Sequence, residues 1–166
     1  MRKINIVIGL LLLTLIAACQ SAESKEVLEY HNGYVENVST KLEELQELNL
    51  ELVFAETDEE IDELIDQVEP ILKEISDYMD AQDPENAETK EYHQLRLESI
   101  HALVASMEID IELYRGFINE SLSDEEIEQM LEESNAKFEE FNDWAIQANE
   151  KIDELSERFN FEEINE

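Results

Sequence analysis

Residues Ser123–Phe159, SDEEIEQMLEESNAKFEEFNDWAIQANEKIDELSERF, decide the fold class of this chain. Apolar or small residues recur along this stretch at alternating spacings of three and four, which is the period of one helix face. The stripe consists of Ile127, Leu131, Ser134, Phe138, Phe141, Ala145, Ala148, Ile152, Leu155 and Phe159. More than four heptads pass without a break, so the sequence predicts one long helix with a single inward face.

Two segments carry the signal for a helix start. Ser123 is followed three residues later by Glu126, which is the spacing of a capping box, in which side chain and backbone satisfy each other's hydrogen bonds. Thr57 and Glu60 repeat this spacing earlier in the chain. We therefore expect one helix to begin after Thr57 and another after Ser123.

Two more helices follow from the same periodicity. The first is predicted from about Ser24 to Ala55, and its inward stripe consists of Leu28, His31, Val35, Val38, Leu42, Leu45, Asn49 and Leu52. His31 and Asn49 are polar residues inside this stripe, where such residues fix register. Another is predicted from Pro84 or Thr89 to Asn119, with Asp83 as its N-cap.

The four predicted helices define the fold class. Only three glycines and two prolines occur, too few for strands joined by tight turns, so the chain is predicted to be all-α. Long helices with short connections pack as antiparallel neighbours. We expect an elongated antiparallel four-helix bundle, and the alternative is a three-helix coiled coil with one loosely attached helix.

The N-terminal segment has the layout of a cleaved signal peptide. Arg2 and Lys3 precede an uncharged, largely apolar run from 4 to 16, and Ala17 and Ala18 come directly before Cys19. The apolar run is short for a helix that must cross ~30 Å of hydrocarbon. Residues 16–19, Ile-Ala-Ala-Cys, resemble the lipobox of bacterial lipoproteins.

The lipobox resemblance implies a location and a modification. In that family the Cys19 thiol carries a diacylglycerol with fatty acids such as palmitate, and the chain is cut just before it; acylation of the new amino terminus is left open. The expected parts are a signal peptide (1–18), a lipidated cysteine with a polar tether (19–24) and an acidic helical bundle (25–166). The protein is then expected on the extracytoplasmic face of the cell membrane, in a Gram-positive bacterium.

The charge of the chain excludes one class of partner. Without residues 1–18, nine basic residues stand against 44 acidic ones, a net charge of −35. Such a charge repels nucleic acids and anionic membrane surfaces, so the membrane is expected to be reached through the lipid alone.

One sequence pattern is a candidate metal-binding motif. Glu98-x-x-His101 is similar to the motif that ferritin-like di-iron proteins place on each of two helices of a four-helix bundle. His31 and His93 lack the matching glutamate, so only half of such a site is present. We predict no metal, no other cofactor and no enzyme activity, and a metal-dependent enzyme using Glu98 and His101 is the alternative.

The leading functional hypothesis is a non-catalytic binding or structural lipoprotein that contacts an envelope protein or a cell-wall component. The chain resembles, in style only, the small helical lipoproteins of Gram-positive envelopes. Trp144, Phe161 and Ile164 lie beside or beyond the regular stripe and are the candidate partner surface. A further alternative is that the signal peptide releases a pheromone-like peptide.

Overall fold

The protein is described by a computed structural model, which places residues 22–55 and 57–161. The predicted signal peptide, Cys19 and Ile164 lie outside the described residues. The helical part begins at Ala22, inside the segment 19–24 that was predicted to be a polar tether.

Four helices pack together, and the described residues contain no strand. The first of the four has three consecutive parts, because α1 and α2 flank a π-helical segment without a break. The elements are α1 (Ala22–Tyr34), the π-helical segment (Val35–Ser39), α2 (Thr40–Phe54), α3 (Asp58–Asp80), α4 (Ala87–Ile118) and α5 (Asp124–Phe159). The all-α prediction is confirmed for this part of the chain.

Both predicted capping boxes are present. The backbone amide of Glu60 donates to Thr57 Oγ1 at 3.2 Å, and the amide of Thr57 donates to Glu60 Oε2 at 3.1 Å. Ser123 and Glu126 make the same reciprocal pair, at 3.3 Å and 2.8 Å. These side chains satisfy backbone amides that have no partner within the first helical turn.

The N-cap of α4 is Asn86, so the prediction of Asp83 was wrong. Asn86 Oδ1 accepts the amide of Thr89 at 2.8 Å. Glu26 of α1 also accepts the amides of Glu85 and Asn86, at 2.6 Å and 3.2 Å. This contact between distant parts of the chain moves the helix start to Asn86, and local sequence signals cannot show it.

The π-helical segment changes which face of the first helix is buried. A π-helical turn holds more residues than an α-turn, so the inward face is displaced beyond it. Val38 is fully buried, whereas Val35, which was predicted to point inward, is 38% exposed. Asn49 is exposed, so its predicted core position was wrong; His31 is buried as predicted.

The core has two parts, and α4 contributes to both. A larger cluster joins the end of α1, the π-helical segment and α2 to α3 and α4. A smaller cluster joins α1, α4 and α5; it consists of Val27, Tyr92, Ala148, Ile152 and Leu155. The most extensive contact between any two helices is that of α4 with α5, and α4 also packs against α1 and α3.

Candidate functional site

The first candidate site is a groove between α2, α4 and α5. It has a volume of about 500 Å³ and a mainly apolar lining. The residues that line it are Leu42, Leu45, Gln46, Asn49, Leu50, Leu103, Ser106, Met107, Asp110, Phe138 and Phe141. We call it the α2–α5 groove, because these two helices form its walls and α4 forms its floor.

The wall formed by α5 is an apolar stripe that the rest of the chain leaves partly open. Ala148 and Leu155, on the later part of the stripe, are fully buried. On the earlier part of the same stripe, Leu131 is 46% exposed and Phe138 is 48% exposed. Leu50, on the opposite wall, is 54% exposed. Phe138 and Leu50 both line the groove, and exposed apolar side chains of this size in one groove are typical of an interaction site.

The floor of the α2–α5 groove carries a small polar network. Ser134 Oγ donates to Asp110 Oδ1 at 2.6 Å, and Ser106 Oγ donates to the carbonyl oxygen of Ser134 at 3.1 Å. Burial raises the pKa of the Asp110 carboxyl, and the bond from Ser134 partly offsets this rise. The groove therefore holds one acidic hydrogen-bond acceptor below an apolar rim.

The second candidate site surrounds Arg96, whose side chain is buried although it is charged. Arg96 Nε donates to the Tyr92 hydroxyl at 3.1 Å, and Nη2 donates to Asn149 Oδ1 at 2.8 Å. The guanidinium carbon also lies 4.4 Å from the centre of the Tyr34 ring. His31 Nδ1 lies 2.9 Å from the same Tyr92 hydroxyl. The cluster thus joins α1, α4 and α5 through one cation.

The groups around Arg96 keep their neutral forms at neutral pH. Burial, followed by the charge of Arg96, lowers the pKa of His31 to about 4. Burial raises the pKa of the Tyr34 and Tyr92 hydroxyls, and Arg96 opposes part of that rise. His31, Tyr34 and Tyr92 are therefore uncharged near pH 7 and form no ion pair with Arg96.

The pair Glu98 and His101 is not assembled as a metal site. His101 is exposed, and its Nε2 lies 3.0 Å from Asp80 Oδ1. Glu98 Oε1 instead accepts a hydrogen bond from Gln94 at 2.7 Å. Within residues 22–55 and 57–161, no three histidine, cysteine or acidic side chains are grouped so that they could hold a metal ion.

The candidate partner residues lie in different surroundings. Trp144 is half-buried on α5. Phe161 follows the left-handed residue Asn160, which ends α5, and its backbone amide donates to the Ser156 carbonyl at 3.0 Å. The Phe161 ring packs on Phe159, with 5.8 Å between ring centres, and against the smaller core cluster. That these residues contact a partner stays a prediction.

The polar residues of both sites were not among the predicted site residues. Arg96, Ser106 and Asp110 were not predicted, because the sequence does not show directly which polar side chains of α4 the other helices cover. A signal was present: Tyr92, Arg96, Ser99, Leu103, Ser106, Asp110 and Leu113 also alternate at spacings of four and three. A second helical stripe of mixed polarity indicates a helix buried on two sides.

Comparison of the chain with models of known protein families, with curated proteins and with solved structures finds no match. In the part of the chain that the structure describes, none of the helices combines the length and the apolar character needed to span a membrane.

Proposed function

We propose that this chain is a lipid-anchored, non-catalytic binding protein on the extracytoplasmic face of the cell membrane of a Gram-positive bacterium. We further propose that its α2–α5 groove binds an amphipathic helix of another envelope protein. The observation that carries this proposal is the exposed apolar lining of the groove, where Phe138 of α5 is 48% exposed and Leu50 of α2 is 54% exposed. Helix-in-groove binding uses this kind of surface.

Charge argues for a basic partner. Exposed glutamates stand next to the lining positions of both walls, among them Glu47, Glu51 and Glu139. A helix with lysine or arginine beside its apolar face would pair with these carboxylates, and a basic side chain could reach Asp110 on the floor. A second copy of this chain would add a further net charge of −33 and would be repelled. A polar cell-wall polymer would leave the apolar walls uncovered.

The proposal includes an elongated antiparallel bundle. Two side-chain contacts between α3 and α4 support it: His101 with Asp80 at 3.0 Å, and Arg115 with Glu69 at 2.8 Å. As the residue number rises along α4, the number of its partner falls along α3. Between α4 and α5, Arg96 with Asn149 and Ser106 with Ser134 follow the same order.

The anchor rests on the lipobox resemblance of residues 16–19. A Cys19→Ala variant has no thiol to acylate, and a diacylglycerol contributes ~0.8 kcal/mol per buried CH₂ to membrane affinity. We expect this variant to leave the membrane fraction after a salt wash, and Ser21→Ala, which keeps the lipobox, to stay. A Cys19→Ala protein retained in the washed membrane would contradict the anchor and favour an uncleaved helix.

The groove is tested by site-specific photo-crosslinking in intact cells. A photoreactive residue at position 138 should capture a discrete partner, and the crosslinked segment, sequenced by mass spectrometry, should be a helix with basic flanks. The same residue at position 146 is the matched control, because Ile146 is 56% exposed on α5 but does not line the groove. Equal capture at both positions, or capture of an acidic or non-protein partner, would contradict the proposed occupant.

Purified proteins give a second readout that does not depend on the anchor. Phe138→Ser and Leu50→Ser should each weaken binding of a synthetic peptide of the captured segment, because each removes apolar contact area from the groove lining. Ile146→Ser should not. All three sites are about half exposed, so the variants should fold.

A further inference from the structure

We infer that a pocket beside Arg96 binds a small zwitterion that carries one carboxylate and one ammonium group, as an amino acid does. The pocket has a volume of about 370 Å³ and lies between the end of α1, the π-helical segment and the later half of α5. Its lining includes Tyr34, Ser39, Glu43, Arg96, Asn149 and Asp153. It shares no lining residue with the α2–α5 groove, so this inference stands apart from the proposed function.

Arg96 is a buried cation without an anionic partner among the described residues. Arg96 is only 8% exposed, in a chain with 44 acidic residues. Among the described residues, no carboxylate oxygen lies within the 4.0 Å of its guanidinium that would make an ion pair. Its hydrogen-bond partners and the rings beside it are neutral. A buried charge is costly unless it is paired, and a bound carboxylate would supply the missing partner.

The Arg96 guanidinium has more hydrogen-bond donors than its protein partners use. It has five N–H groups in a planar fork; the bonds to Tyr92 and Asn149 use one N–H at Nε and one at Nη2, and the Tyr34 hydroxyl takes a further hydrogen bond from the guanidinium. Because Arg96 also lines the pocket, the rest of the fork can meet a ligand there. Carboxylates bind such a fork through two parallel hydrogen bonds.

Two carboxylates lie in the same pocket lining as Arg96. Glu43 and Asp153 line the pocket, although neither forms an ion pair with Arg96. They would repel a ligand that carried only negative charge, and they would attract an ammonium group. A ligand with both charges satisfies Arg96 and the two acids together, which a simple anion or a simple amine cannot do.

The π-helical segment is an independent indication of a site. Val35 and Ser39, its first and last residues, both line the pocket, and Arg96 lies opposite them on α4. π-helical turns cost hydrogen-bond geometry and occur frequently at functional sites. Here the wider turn places both ends of the segment on one wall of the pocket.

The probes are glycine, 4-aminobutyrate and 6-aminohexanoate, which differ in the separation of carboxylate and ammonium. Binding of each to the full-length chain is followed by melting temperature and by the NMR signal of the Arg96 Nε–H. At least one probe should raise the melting temperature saturably and shift that signal. Acetate mixed with methylammonium, at the same ionic strength, should do much less, because the two charges are not joined.

Substitutions distinguish an Arg96 that binds a ligand from an Arg96 that only stabilises the core. Arg96→Lys keeps the charge and loses the fork, and should weaken binding about tenfold, a loss of about 1.4 kcal/mol. Glu43→Gln and Asp153→Asn are on the pocket lining and should each weaken binding severalfold. These two variants test the ligand site even if Arg96→Lys fails to fold. Arg115→Lys, on the surface and paired with Glu69, should bind as the parent does. Absence of saturable binding by all three probes, unchanged binding in the two acid variants, or acetate binding as tightly as the best probe would overturn the inference.

Discussion

The guanidinium carbon of Arg96 lies 4.4 Å from the centre of the Tyr34 ring, so a buried charge of α4 rests on an aromatic face from α1. A cation over an aromatic ring that is shielded from water is stabilised by ~2 kcal/mol. We expect Tyr34→Leu to lower the free energy of unfolding by about that amount, and Tyr34→Phe, which keeps the ring, to lower it less. Urea denaturation measures both, and equal losses would show that the ring face does not stabilise the charge.

Acid should weaken the fold through His31. Its native pKa is lowered to about 4 from an ordinary 6.5, so the unfolded chain binds a proton between these values and the folded chain does not. Stability contributed by neutral His31 is therefore complete above pH 6.5 and is lost as the pH falls towards 4, by at most about 1.4 kcal/mol per pH unit. His31→Gln cannot titrate, so the difference between parent and variant isolates this residue. Identical pH profiles in denaturant titrations would refute the assignment.

Gly116 should not tolerate a methyl group. Gly116 is buried near the end of α4, and an added Cβ would overlap the Leu122 side chain in the connection to α5. Alanine favours a helix over glycine by ~1 kcal/mol, so propensity alone predicts a more stable Gly116→Ala protein. We expect a less stable one in thermal unfolding, because Leu122 must move.

The double variant with Leu122→Ala is the check on this overlap. Once the leucine is shortened, the methyl at position 116 has room, and the two losses should not add. Strict additivity would mean that the methyl at 116 destabilises the protein for another reason.

The N-cap at Ser123 should contribute measurably to the free energy of unfolding. Ser123→Ala removes the acceptor for the Glu126 amide, and losses of this kind cost ~1 kcal/mol. Ser121→Ala is the matched control, because Ser121 is exposed two residues earlier and precedes the helix. Equal chemical denaturation midpoints for the two variants would show that the Ser123 cap does not stabilise the protein.

Salt should raise the melting temperature. The net charge of −33 opposes compaction, and the exposed ion pairs, such as Lys25–Glu29 and Lys73–Asp77, compensate only a small part of it. At ~0.15 M the screening length falls to ~8 Å. A triple variant with Glu132→Gln, Glu133→Gln and Glu139→Gln carries less charge. Its melting temperature, measured by calorimetry, should rise less with sodium chloride. A melting temperature that is flat in salt for the parent would show that the charges are already locally balanced.

Sequence patterns predicted the helices well, since a helix face and a capping box depend on neighbours three or four residues apart. Thr57 and Ser123 are capped as expected for that reason. Asn86 and Val35 differ from the prediction, because one is held by Glu26 from a distant helix and the other follows from a π-helical turn. Neither cause has a local signature.

Neither candidate site could be predicted from the sequence, because each is formed by helices that are distant in the chain. Phe138 has the right period for a core residue, and only the folded structure shows that α2 leaves it half exposed. Arg96 looks like an ordinary surface charge until α1 and α5 enclose it. The sequence predicted the stripe to which Phe138 belongs, but the gap beside it arises from the tertiary arrangement.

The uneven sharing of contacts among the helices has a consequence for hydrogen exchange. α4 and α5 have the most extensive contact, whereas α2 packs mainly on α3 and ends with Val53 and Phe54 exposed. Regions with fewer buried contacts open locally without unfolding of the whole molecule. The amides of α2 should therefore exchange through a low-energy opening that leaves α4 and α5 protected. Such an opening would widen the α2–α5 groove, so a helix could enter it without the molecule having to unfold.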